Sequence, residues 1–142
     1  MDWVNKHLQI VPINTFIDPI FPVENAIITH AHADHAKPGH KNVLATKHTI
    51  EIMKIRYGEN CANNFQELSF NSPLNINGVK VTFFPAGHIL GSAQVLLEYR
   101  KDKINFTGDF KITKDDTCEN FRPVTCDTLV TEATFGLPIF QH

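Results

Sequence analysis

The sequence predicts a layered α+β or α/β domain, dominated by short strands and carrying one long helix. Three observations lead there. Short β-branched and aromatic runs bounded by Pro, Asn and Gly recur along the 142 residues, which is how strands separated by turns read. One stretch, Lys47–Tyr57, sets apolar residues at roughly helical spacing. Asn77-Gly78 stands between two apolar runs. A type I′ turn needs positive φ at both central residues, so this dipeptide marks a hairpin.

Taken in order, the runs place strands near Leu8–Val11, Thr15–Asp18, Ala26–Thr29 and Val43–Ala45. The helix over Lys47–Tyr57 follows, with Ile50, Met53 and Ile55 as its apolar positions. Further strands are predicted near Val79–Phe84, Gln94–Tyr99, Lys103–Thr107 and Thr128–Thr131. Phe83, Phe84, Phe106 and Phe110 sit in or beside these strands, so they read as core rather than base-stacking platforms. Each apolar sheet face needs a covering partner, and one helix supplies few; the sequence looks short of partners.

Composition bounds the function. Apolar residues at 42% and charged residues at 20% are ordinary globular usage, which argues against disorder. Thirteen basic against fifteen acidic side chains leave a net charge of −2, so bulk charge would not coat nucleic acid. A nuclease whose metals neutralise phosphate locally remains open. Cys61, Cys118 and Cys126 are odd in number and lack C-x-x-C spacing, which disfavours a disulfide framework or cysteine-zinc module. Reduced thiols, no signal-peptide pattern and no run of eighteen apolar residues lead to the expectation of a cytoplasmic protein with no membrane partner.

The chemistry concentrates in residues 26–35, Ala-Ile-Ile-Thr-His-Ala-His-Ala-Asp-His. An apolar strand runs straight into His30, His32, Asp34 and His35. Imidazole suits zinc and its neighbours, and a carboxylate adds charge that can hold a second cation. The alanines leave room for metal and water. Four ligands in one loop cannot close two sites, so partners are expected downstream. His88 lies in a loop whose glycines let backbone approach a crowded centre. Asp109, after Thr-Gly, ends a predicted strand and can bridge two metals; by itself Gly-Asp is an ordinary turn. Asp18 closes another strand and either orients a ligand imidazole through its free N–H or serves as a plain turn. Glu132 ends a fourth strand. Lys37, His40 and Lys41 read as a solvated loop in preference to phosphate contacts, while His7, His48 and His142 read as exposed side chains.

His30-x-His32-x-Asp34-His35, preceded by Asp18 and followed by His88 and Asp109, resembles the metallo-β-lactamase superfamily. Pro-Ala-Gly-His88-Ile-Leu-Gly-Ser-Ala, Thr-Gly-Asp109-Phe-Lys and Thr-Glu132-Ala-Thr-Phe-Gly resemble its nucleic-acid-processing β-CASP branch. Thr-His-Ala-His-Ala-Asp-His-Ala-Lys-Pro-Gly-His and Thr-Phe-Gly-Leu-Pro-Ile-Phe are similar to the bacterial ligase-associated DNA exonucleases. The resemblance implies an αββα metallo-β-lactamase-like fold and two divalent metal ions, zinc or alternatively manganese. His30, His32 and His88 would hold one metal, Asp34 and His35 the other, with Asp109 bridging. Glu132 would orient a catalytic histidine from a later motif, and Asp34 or Asp109 would hold the attacking water.

The expected function is therefore metal-dependent phosphodiester hydrolysis, on DNA in preference to RNA, with a link to a DNA ligase implied by resemblance alone. Residues 1–142 read as the first part of the metallo-β-lactamase-like domain, without its closing part or a β-CASP domain, and so as a weakly active or inactive fragment. An RNA nuclease of the same branch, a thioester- or lactam-type metallo-hydrolase and a non-catalytic remnant are the alternatives.

Overall fold

The computed structural model describes residues 3–32, 35–87, 90–108, 125–131 and 139–140. The chain divides into two compact units, Met1–Leu68 and Ser69–His142.

In the first unit, β1 (Gln9–Ile10), β2 (Thr15–Ile17), β3 (Asn25–Ile27), β4 (Asn42–Ala45) and β5 (Asn64–Glu67) form one sheet in that order. The β1–β2 pair is antiparallel and the remaining neighbours are parallel. Parallel neighbours need a crossover, and α1 (Lys47–Tyr57) supplies the one between β4 and β5. Thr46 starts this helix in extended backbone, its hydroxyl accepting the Thr49 amide. Gly58 ends it at φ +98°, a conformation L side chains rarely adopt.

Ile50 and Met53 of α1 form one cluster with Ala26, Ile28, Val43 and Ala45, completed by Ala36, Cys61 and Ala62. Ile55 does not join it and is 84% exposed. The expectation that Ile55 shares the apolar stripe is thus corrected. At 3.6 residues per turn, five residues from Ile50 carry the chain to about 140° around the helix. Ile27 and Leu44, which alternate with the cluster residues along β3 and β4, are also buried. Strands covered on both faces need continuous apolar runs. The expected shortage of cover is therefore absent from β3 and β4.

The sequence reading missed β5, and its composition explains why. Asn-Phe-Gln-Glu is mostly exposed and carries no apolar alternation. An asparagine ladder helps to hold it. Asn25, Asn42 and Asn64 are register partners across three strands. Asn42 Nδ2 donates to Asn25 Oδ1 at 2.9 Å, and Asn64 Nδ2 to Asn42 Oδ1 at 2.8 Å. The Lys54 ammonium lies 5.0 Å from the centre of the Phe65 ring, tying α1 to the edge strand.

In the second unit, β6 (Leu74–Ile76), β7 (Val79–Pro85), β8 (Ala93–Tyr99), β9 (Asp102–Gly108), β10 (Thr128–Thr131) and β11 (Ile139–Phe140) form a sheet ordered β11-β10-β9-β8-β7-β6. Asn77 at φ +45° and Gly78 at φ +91° make the expected hairpin between β6 and β7. One face is apolar: Phe83 opposes Val95, Val95 opposes Phe106, Val81 opposes Leu97 and Leu97 opposes Ile104. The alternate residues carry polar pairs, with Lys80 Nζ 3.1 Å from Glu98 Oε2 and Asn105 Nδ2 donating to Gln94 Oε1 at 2.9 Å. Phe83 and Phe106 are buried in this sheet, whereas Phe110 lies outside the described residues. Both β7 and β9 are antiparallel to β8, and β10 is parallel to β9. Pro85, Gly108 and Thr131, the last residues of β7, β9 and β10, therefore share one edge of the sheet.

Candidate metal centre

Asp18, His30, His32 and His35 are brought together at the C-terminal ends of β2 and β3. Strand β2 stops at Ile17, and the chain turns at Asp18 with φ +46°. Asparagine and aspartate tolerate that conformation better than most residues. The Asp18 amide donates to the Ile27 carbonyl at 2.9 Å, which sets the carboxylate beside the continuation of β3. Here Thr29 meets it twice. The Thr29 amide donates to Asp18 Oδ1 at 2.8 Å and the Thr29 hydroxyl to Asp18 Oδ2 at 2.6 Å.

Beyond Thr29 the chain leaves the sheet. The amides of His35 and Ala36 both donate to the His32 carbonyl, at 2.9 and 2.8 Å. This tight turn brings the His35 ring back to 4.2 Å from the His30 ring, centre to centre. The His32 ring lies 5.0 Å from His30, edge to face. His35 Nδ1 is 2.9 Å from Asp18 Oδ2. One ligand atom from each of Asp18, His30 and His35 lies within 4.8 Å of the others. His30 is 1% exposed and His35 9%, so the imidazoles sit in a sheltered niche.

The donor set fits a divalent cation. Three imidazoles crowded together offer the nitrogen ligands that zinc and its neighbours prefer. Asp18 itself is engaged: Thr29 and His35 already direct three donors at its two oxygens. That pattern suits a carboxylate supporting ligand imidazoles from behind. Asp34, His88, Asp109 and Glu132 lie outside the described residues. Asp109 follows Gly108 and Glu132 follows Thr131 in sequence, and those two preceding residues are register partners on parallel strands.

Reading His40 as part of a solvated loop was wrong. It is 1% exposed, and its Nδ1 accepts the Val23 amide at 3.1 Å. Burial pushes its pKa down. The cause is local packing: the Gly39 amide donates to the Cys61 carbonyl at 2.8 Å, and a Cβ on Gly39 would come within 3.3 Å of Pro22. Lys37 is half-buried and Lys41 exposed, leaving these two as the cations of that segment. Burial pushes the Cys61 and Cys126 thiols up, so neither is a ready thiolate ligand. Two neighbours of the cluster escaped the sequence reading, namely Thr29 and Arg56, whose guanidinium donates to the Ala31 carbonyl. A hydroxyl directly before the first histidine was a signal for the former. The latter comes from a different segment and had none.

A family model described as the beta-lactamase superfamily domain matches residues 2–138. The chain belongs to that superfamily. Within it, the curated relatives are consistent with the β-CASP branch of the metallo-β-lactamase fold. A probable DNA ligase from Opitutus terrae is 30% identical over 132 residues, covering 92% of this chain and 13% of that protein. The endoribonuclease ysh1 of Aspergillus fumigatus is 36% identical over 75 residues, covering 51% of this chain and 9% of that protein. The chain thus spans a small part of the curated relatives it matches. Among solved structures, unliganded yeast PDE1 aligns with a TM-score of 0.55 at 17% identity, covering 69% of this chain and 37% of that one. That likeness carries the fold alone. The superfamily includes metal-dependent hydrolases, nucleases among them.

Proposed function

We propose that the chain carries ligands of a two-metal phosphodiesterase acting on nucleic acid, with DNA as the preferred substrate and exonucleolytic cleavage as its mode. The observation that carries the reading is the gathering of Asp18, His30 and His35 within 4.8 Å. His30, His32 and His88 would hold one divalent cation, zinc or manganese in its place, and Asp34 and His35 would hold the other, with Asp109 contributing to both. Bound there, divalent cations would activate water at neutral pH and polarise the phosphodiester. Asp34 or Asp109 holds the attacking water by accepting its hydrogen bond. Asp18 keeps the His35 ring in place, and Glu132 would orient a proton-donating histidine from a later motif.

The DNA preference is supported by the Opitutus relative, whose match extends over 92% of this chain; a working link to a DNA ligase belongs to the same proposal. An RNA substrate is the second reading, favoured by the endoribonuclease match at 36% identity. End-labelled DNA and RNA strands of one sequence, incubated with the protein and zinc or manganese, separate the two. Weak loss of terminal nucleotides from DNA, abolished by His30→Ala, is the expected result. Cleavage of RNA alone selects the second reading. Hydrolysis of a thioester or lactam with both nucleic acids intact overturns the proposal.

A further inference from the structure

Thr29 occupies an unusual position between the carboxylate and the first imidazole. Its amide and hydroxyl grip the two oxygens of Asp18, at 2.8 and 2.6 Å. Its Oγ1 also lies 2.8 Å from Nδ1 of His30. Thr29 is 2% exposed, and a β-branched residue is stiff at χ1. A threonine hydroxyl owns one proton and two acceptor lone pairs, whereas a carboxylate oxygen accepts. The proton of Thr29 is therefore committed to Asp18 Oδ2. At the His30 contact Oγ1 must accept, so the proton of that bond belongs to His30 Nδ1.

The same Asp18 oxygen meets His35 Nδ1 at 2.9 Å, and this contact also requires an N–H from the ring. One carboxylate thus dictates the tautomer of two histidines, directly for His35 and through a hydroxyl for His30. We infer that Thr29 is a positioning residue that fixes His30 in its Nδ1–H tautomer, leaving Nε2 with the lone pair a divalent cation requires. The inference rests on the proposed metal role of His30. It extends that role by giving the hydroxyl at position 29 a function that an apolar residue of the same shape cannot supply.

Two measurements on the metal-free and zinc-titrated protein test it. Long-range nitrogen–proton NMR correlations of the histidine rings report which nitrogen carries the proton, and competition with a chromophoric chelator reports zinc affinity. His30 is expected as the Nδ1–H tautomer in the wild type and in Thr29→Ser. In Thr29→Val it is expected to lose that fixed state, with zinc affinity falling by about tenfold or more, as for other groups that orient metal-bound histidines. Thr29→Ser, which keeps the hydroxyl, should restore both.

An Nε2–H tautomer for His30 in the wild type overturns the inference without any variant, whatever Thr29→Val does to folding. Retention of tautomer and affinity in Thr29→Val overturns it too, as does a Thr29→Ser protein that behaves like Thr29→Val. A wild type with the Nδ1–H tautomer but no zinc affinity removes the metal reading itself, and with it the role of Thr29.

Discussion

Replacing Asp18 by asparagine probes the support of the candidate centre with little change of shape. Asparagine accepts the φ of +46° that the turn imposes, so backbone strain is held constant. Its amide oxygen can still receive the Thr29 amide. The NH2 group, however, replaces the oxygen that now accepts from Thr29 Oγ1 and His35 Nδ1. Two hydrogen bonds to a charged group are lost, each worth about 1.5–3 kcal/mol net. The hydroxyl and the imidazole can turn round and accept instead, which returns part of the loss, so we expect about 2–4 kcal/mol of destabilisation. For a chain of this length that is a fall in Tm of roughly 6–15 °C. Thermal unfolding of the metal-free protein reads this directly, and chelator competition should show zinc affinity reduced about tenfold to a hundredfold. An unchanged metal-free Tm with weakened zinc binding would refute the supporting role and make Asp18 a ligand.

Three further outcomes follow from the packing and the hydrogen bonds. His40 is buried with its pKa pushed below the ordinary 6.5, so the unfolded chain takes up a proton there before the folded one does. Its stability contribution is complete above pH 6.5 and declines as pH falls below it. His40→Gln, which keeps an acceptor for the Val23 amide, should lessen the slope of unfolding free energy below pH 6.5; identical slopes contradict this. Met53→Ala should cost about 2–5 kcal/mol by opening a cavity in the helix–sheet cluster, while Ile55→Lys should stay within about 0.5 kcal/mol of the wild type. Denaturant midpoints that rank these two the other way would restore the original assignment of Ile55. Gly78→Ala meets no atom within 4 Å, so its penalty of about 1–2 kcal/mol should come from the positive φ alone.

The parts of the fold that sequence made legible were those whose period and punctuation agree. Lys47–Tyr57 is helical over the expected residues, and Asn77-Gly78 turns where its backbone freedom requires. Strands β5, β6 and β11 were not foreseen. For β5 the reason is visible: backbone pairing and the asparagine ladder from Asn25 to Asn64 hold it, and neither leaves an apolar alternation to read. At the centre, the histidine run announced its chemistry because metal ligands were clustered in sequence. What binds that cluster into one geometry was less visible. Thr29 looked like the last strand residue, and His40 like a loop residue, because hydrogen bonds to Asp18 and Val23 join segments far apart in the chain.

X-ray absorption at the zinc edge of the loaded protein tests most directly whether the strand-end histidines hold the metal. The expected first shell contains nitrogen and oxygen at about 2.0–2.1 Å, with outer-shell scattering from at least two imidazoles that weakens when His30 and His35 are both replaced by alanine. Sulfur at about 2.3 Å, or imidazole scattering undiminished by the double replacement, would contradict it.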